Sequence, residues 1–367
     1  MKKQILATVL SVSMLAGMGV MNVSAEEADS YTVGICQLVQ HDALDAATQG
    51  FKDALTEKLG DKVTFDEQNA QGESNTCSTI INSFVSNGVD LILANATPAL
   101  QAAAAGTNEI PILGTSVTEY GVALELDDFD GTVGGNISGT SDLAPLDDQA
   151  AMLNELFPDA KNVGLLYCSA EANSQYQVDT VKAALEEMGY TCEYYAFSDS
   201  NDLSSVTTTA ATESDVIYVP TDNTVASNTE IINNICLPAE VPVIAGEEGI
   251  CAGCGVATLS ISYYDLGVAT GNMAARILAD GEDISEMPVE YAPNFTKKYN
   301  ADICETLGIE IPEDYVAIGA EEDAETEDAE TEEADTEEAE TEEAEADTET
   351  DAAEEESTET ETEEAAE

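Results

Sequence analysis

Positive charge is almost missing from this sequence. Its 367 residues hold 10 Lys and Arg and one His against 75 Asp and Glu. A chain this acidic is repelled by phosphate backbones, which excludes nucleic-acid binding. Histidine is confined to His41, and Cys251-Ala252-Gly253-Cys254 has no second Cys-x-x-Cys partner, so a zinc site is not expected. No Gly-x-Ser-x-Gly elbow, His-Glu-x-x-His or Walker-type loop occurs. After the first 25 residues no run is long and apolar enough to span a bilayer. The reading is of a non-enzymatic chain with no cofactor, no metal and no catalytic residues.

The two ends are compositionally distinct. Met1-Lys2-Lys3, an apolar stretch from Ile5 to Val20 and the small residues Val23-Ser24-Ala25 are the parts of a secretory signal peptide over 1–25. The alternative is an uncleaved membrane anchor. From 319 to 367 the chain becomes an acidic tail, with 27 Asp and Glu and no basic residue between Ala320 and Glu367. Such a segment repels itself and buries no apolar surface, so it is expected to be disordered. It reads as a solvating extension, against metal buffering or a specific partner. Without tail and signal, 48 acidic residues still face 8 basic ones, a net charge near −40 that suits an exported soluble monomer.

Eight cysteines remain: Cys36, Cys77, Cys168, Cys192, Cys236, Cys251, Cys254 and Cys304. Most stand in apolar runs and read as buried thiols. The Cys251/Cys254 pair is a local disulfide, half a metal site, or two small residues of a Gly-rich loop.

Three apolar segments occur twice. Val33-Gly34-Ile35-Cys36-Gln37 returns as Val163-Gly164-Leu165-Leu166-Tyr167, and Asp90–Ala94 as Asp215–Val219. Ile110-Pro111-Ile112-Leu113-Gly114 returns as Val241-Pro242-Val243-Ile244-Ala245. Between them lie helical patterns such as Asp45–Leu59 and Asn173–Met188. Apolar strands alternating with amphipathic helices predict an α/β fold of two similar doubly wound parallel-sheet lobes joined by a hinge. The expected division is lobe 1 over 26–142 with 257–287 returning to it, and lobe 2 over 143–256 with 288–318 added. Gly131–Gly139 reads as the lobe connection.

Ligands of open parallel sheets bind beyond the carboxyl ends of the strands. In the first half those ends are Gln37 with His41, then Asn95 with Thr97, then Thr115-Ser116. The second half offers Asn173 and Ser174, then Thr221-Asp222-Asn223, then Glu247. Hydroxyls, amides and helix N-termini suit a carboxylate, and Asp or Glu suits an ammonium, so the set fits a small zwitterion. Each residue also has a plainer role as a helix cap or turn former. His41 beside Asp42 and Asp45 either serves a hydrolase or isomerase, or anchors the following helix.

Several runs in order carry a family resemblance: Gly34–Gln37, His41-Asp42-Ala43-Leu44-Asp45, Ala96–Ala99, Gly139-Thr140-Ser141-Asp142, Glu171–Ser174, Pro220–Asn223 and Tyr263–Gly267. Over about residues 31–318 the chain resembles solute-binding proteins of ABC importers, the type I periplasmic-binding-protein-like members linked to tryptophan and tyrosine uptake. The resemblance implies a two-lobed receptor that closes on an amino acid, with an aromatic one foremost, and a membrane permease as partner. A nucleoside, sugar or other metabolite is the alternative ligand. An amino-acid ligand fits the strand-end set, with Thr97, Thr115, Ser116 and Ser174 for the carboxylate and Asp222 or Glu247 for the ammonium, and with Tyr167 and Tyr263 as candidates for the side-chain wall. Two departures stand out. His41 is followed by Asp42 where the family has proline, and Met18 stands where a lipid-bearing cysteine is usual, so a thioether-linked lipid cannot form there.

Overall fold

The apolar pentads become strands buried between helices. The computed structural model describes residues 30–320 except Pro293. The expected signal peptide, Met18 and the tail beyond 320 lie outside the described residues. β1 (Tyr31–Gln37) leads into α1 (Asp42–Leu59), and β2 (Val63–Asn69) into α2 (Ser74–Asn87). β3 (Leu91–Asn95), α3 (Thr97–Gly106), β4 (Ile112–Val117), the short α4 (Tyr120–Ala123) and β5 (Ile137–Ser141) follow. After α5 (Leu146–Leu156) the pattern repeats as β6 (Asn162–Cys168), α6 (Ala172–Glu187), β7 (Thr191–Phe197), α7 (Ser200–Glu213) and β8 (Val216–Val219). It continues with α8 (Asn223–Ala226), α9 (Thr229–Cys236), β9 (Val243–Ala245), α10 (Glu248–Cys254), β10 (Ala257–Ser260) and α11 (Tyr263–Ala275). β11 (Glu290–Tyr291), β12 (Thr296–Tyr299), α12 (Ala301–Leu307) and β13 (Val316–Ala317) complete the chain.

The five principal strands lie in the order β2-β1-β3-β4-β5 in one sheet and β7-β6-β8-β9-β10 in the other. The duplicated sequence is therefore a duplicated topology, parallel in every pairing of those ten strands. Helices cover both faces, so each sheet carries two apolar layers. In the first these centre on Phe84 and Ile92 on one side and Phe51 and Leu93 on the other. In the second they centre on Leu165 and Tyr218 and on Leu166 and Ile217.

The expected divisions shift at three places. Ile137–Ser141 is the strand β5, not part of a connection. Its sequence Ile-Ser-Gly-Thr-Ser lacks the apolar run that marks the others, because the backbones touch here. A Cβ on Gly139, which has φ +147, would stand 2.1 Å from the Gly114 carbonyl oxygen. Residues 257–260, expected to return to the first lobe, form β10 and pair with β9 in the second sheet. The return begins instead at α11. Conversely Glu290–Tyr291 pairs with β5 in the first sheet, and only from β12 onward does the end of the chain join the second. The chain thus changes sheet between Ser141 and Leu146, between Ser260 and Tyr263, and between Tyr291 and Thr296.

Helix α11 is fixed to the first lobe by close packing on α1. A Cβ on Gly267 would lie 2.1 Å from the Ala47 carbonyl oxygen, a separation at which something must move. Cys251 and Cys254 sit on α10 as buried free thiols rather than in a Gly-rich loop, and the other six cysteines are also buried and free.

Candidate functional site

The ends of the first sheet are polar, but most of that polarity is turned inward. Gln37 accepts from the Thr48 hydroxyl at 2.7 Å and donates to Asp45 at 2.6 Å and to the Val39 carbonyl at 2.9 Å. Asn95 donates to the Leu44 carbonyl and to Thr48, each at 2.9 Å. These amides pin the first turns of α1 to the sheet. Thr115 accepts from Thr140, which lies 2.8 Å from the Thr270 hydroxyl and so ties α11 to the strands. Thr97 is buried at the start of α3. Ser116 differs: its φ is +53, and its buried hydroxyl has no partner. A serine held in the left-handed region is strained, and such strain persists only where its surroundings impose it.

In the second lobe the acids are saturated. Asp222 accepts the backbone N–H groups of Cys168 at 2.7 Å and Val225 at 2.9 Å, capping α8. Glu247 accepts those of Gly249 at 2.7 Å and Ile250 at 2.5 Å, capping α10. Glu171 accepts from the Asn223 N–H and side-chain amide at 3.1 and 2.7 Å. It also takes the Thr224 N–H and hydroxyl at 2.9 and 2.8 Å, and the Asn173 amide at 3.3 Å. Asn173 further donates to the Thr221 carbonyl at 3.1 Å and to Ser174 at 3.3 Å, so this cluster shapes the Thr221–Thr224 loop.

Between the two sheets' carboxyl ends lies a narrow cavity. Of the expected site residues, His41, Ser116, Thr221, Asp222, Asn223, Glu247 and Tyr263 line it. Gln37 lines a separate polar groove beside Thr48 and Lys52. Thr97, Thr115, Asn173 and Ser174 are buried and do not line it. Tyr167 is not part of the lining either: its hydroxyl donates to Gln175 at 2.8 Å and its ring meets Tyr194 edge-on. Four lining residues lie outside the strand-end set: Tyr263, which the family resemblance supplies, and Leu44, Ala226 and Asp142. Asp142 follows β5, whose Ile-Ser-Gly-Thr-Ser sequence carries no apolar run, so hydrophobic patterning does not mark that strand end.

His41 does not cap α1, for its side chain makes no bond to the helix. Its Nε2 instead lies 3.2 Å from Oδ1 of Asn223 in the other lobe. Amide oxygen only accepts, so Nε2 carries the hydrogen here. Asn223 in turn donates to Glu171, giving a chain Glu171–Asn223–His41 that crosses the cavity mouth.

Burial dominates the electrostatics. It lowers the His41 pKa, against the opposing pull of Asn223, Glu171, Asp45 and Asp42, and so favours the neutral ring. Desolvation pushes Asp222 up to about 8, with Glu171 adding to it and the capping N–H groups opposing. Glu247 is raised to about 7, again chiefly by burial, against the N–H groups of Gly249 and Ile250. Asp142 is raised by burial too, opposed by the Tyr263 and Thr118 hydroxyls. Among the described residues no Lys or Arg lines the cavity.

A two-lobed α/β chain with a polar cavity between matching strand ends defines a class of solute binders. The family model described as ABC transporter substrate binding protein matches residues 32–322, and the chain belongs to this family. That family is one of solute-binding receptors rather than enzymes. The chain is 36% identical over 299 residues to a protein named tyrosine-binding protein from Clostridioides difficile, covering 78% of this chain and 85% of that one. It is similar to the ABC domain from Streptococcus pneumonia solved in complex with L-Trp (TM-score 0.74, 33% identity, 77% of this chain and 96% of that one). It is also similar to the ligand-free, open structure of a substrate binding protein with adhesive properties from Clostridium difficile (TM-score 0.61, 38% identity, 78% and 99%). The superposition is thus better on the L-Trp complex, although the open protein is nearer in sequence. Among the described residues no helix is long and apolar enough to cross a membrane.

Proposed function

We propose that this protein is an exported receptor that binds a small zwitterion, an aromatic amino acid foremost, in the interlobe cavity and presents it to an ABC permease. Membership of the substrate-binding family supports the receptor role. The observation that carries the ligand class is the lining itself: a strained Ser116 with an unpartnered hydroxyl, the carboxyl groups of Asp142, Asp222 and Glu247, and Tyr263 and Leu44 as aromatic and apolar surface. Ser116, whose hydroxyl has no partner in the protein, suits the ligand's carboxylate. Tyr263 offers a ring for an aromatic side chain.

Closure follows from differential contact. The His41–Asn223 bond joins the lobes only when they are together, so it weights the closed form that a permease would read. The likeness to the L-Trp complex over the open relative is consistent with lobes drawn together. Calorimetry of the purified protein against the twenty amino acids tests the reading. Binding of tyrosine or tryptophan at micromolar affinity or better is expected, about −8 kcal/mol. Absence of a response to every amino acid discards the amino-acid assignment.

A further inference from the structure

We infer that the ligand of this cavity carries a protonated amine and that Asp142 is its acceptor, oriented by the Tyr263 hydroxyl. This rests on the receptor reading above and names the residue that makes the site selective for an amine.

Three carboxyl groups converge on the cavity, and their hydrogen bonding separates them. Both oxygens of Asp222 and both of Glu247 are taken by backbone N–H groups: Asp222 by Cys168 at the end of β6 and Val225 in the helix it caps, Glu247 by Gly249 and Ile250 of its own helix. Those acids shape the wall. Asp142 is 4% exposed and caps nothing. Its Oδ2 accepts from the Tyr263 hydroxyl at 2.9 Å, while Oδ1 is buried with no hydrogen-bond partner.

A buried carboxylate oxygen without a donor is costly, and a protein relieves that cost with a nearby cation or a proton. Among the described residues no Lys or Arg lines the cavity, and burial keeps His41 neutral. The titratable groups that sense Asp142 are Glu247, Tyr120 and Tyr263, all acids, and the Thr118 hydroxyl is the remaining polar neighbour. The missing positive charge must then come from the ligand. An ammonium at Oδ1 would form a charge-assisted hydrogen bond and hold the carboxyl ionised. Burial alone favours the protonated acid, so amine binding is linked to release of the carboxyl proton. A ligand without the amine leaves Oδ1 unpaired, the situation in which polar sites discriminate most strongly.

The test compares L-tyrosine, L-tryptophan, tyramine and 3-(4-hydroxyphenyl)propanoate by calorimetry near neutral pH, on the unmodified protein and on Asp142→Asn. On the unmodified protein the deaminated acid should bind about 100-fold more weakly than L-tyrosine. Asp142→Asn should weaken L-tyrosine by a similar factor of about 100 and the deaminated acid by only about threefold, since a structural defect would weaken both alike. The inference is overturned if the variant keeps L-tyrosine within about threefold, or if the two losses simply add. Should the variant fail to fold, the comparison of amine with deaminated acid on the unmodified protein decides alone. If neither amino acid binds but tyramine does, in an Asp142-dependent way, the amino-acid reading falls and this inference stands. Binding of none of the amines sinks both.

Discussion

Glu171 in the second lobe accepts five hydrogen bonds from Asn173, Asn223 and Thr224, whereas Asp142, where the chain leaves the first sheet, accepts one, from Tyr263. Both are buried acids, Asp142 in the cavity lining and Glu171 behind it through Asn223, yet they stand in opposite relations to the fold. The second lobe supplies donors from its own loops and helix starts, so its carboxylates hold the chain in shape. The first lobe spends its amides on pinning α1 and leaves Ser116 and Asp142 with open valence. A buried acid is informative about ligands only after its local donors have been counted.

The sharpest way to break this contrast is to remove each acid in turn. Glu171→Ala should cost about 3 kcal/mol of unfolding free energy in urea, because it strands several buried donors at once. Asp142→Asn, measured without ligand, should change stability by less than about 1 kcal/mol, since it removes a buried acid and few bonds. Equal losses would erase the distinction.

A second effect concerns pH. Asp222 and Glu247 titrate near 8 and 7 in the fold, above their ordinary values of 3.8 and 4.5. The folded chain therefore holds protons that the unfolded chain has released, so stability falls as the pH climbs through that interval and levels off above it. The melting temperature of ligand-free protein should be higher at about pH 5 than at about pH 8, and Glu247→Gln should flatten part of the slope. A melting temperature that rises over this range would contradict the assignment of these buried acids.

The smallest effect belongs to the bond across the mouth. His41→Ala should weaken ligand binding about fivefold, the worth of one ordinary hydrogen bond, and leave the stability of the ligand-free protein within about 0.5 kcal/mol. A loss of all detectable binding would make His41 a direct ligand contact instead.

The duplicated architecture was legible in the sequence because strands buried on both faces are written in apolar residues, as in Leu91–Ala94 and Val216–Val219. Six of the cavity-lining residues were legible in the strand-end pattern, since each lies at or just past the carboxyl end of such a strand, and Tyr263 through the family resemblance. β5 was not, because its burial rests on close backbone contact at Gly139 rather than on bulky side chains, and Asp142 was lost with it. The strand-end rule is blind to hydrogen-bond accounting as well. Thr115, Asn173 and Ser174 satisfy it, but they are the fold's own fasteners. The bond from His41 to Asn223 joins positions 182 apart, beyond the reach of any local pattern.

The second crossing has mechanical meaning. Only Ile261 and Ser262 separate β10, which is paired within its sheet, from α11, whose Gly267 is pressed against α1. Ile261 is itself buried, and the Ser262 hydroxyl caps the helix. This segment has no slack to pay out. The lobes can tilt about it as about a pivot but cannot slide apart along it, and Tyr263, the first residue beyond, sits almost on that pivot and holds Asp142 there.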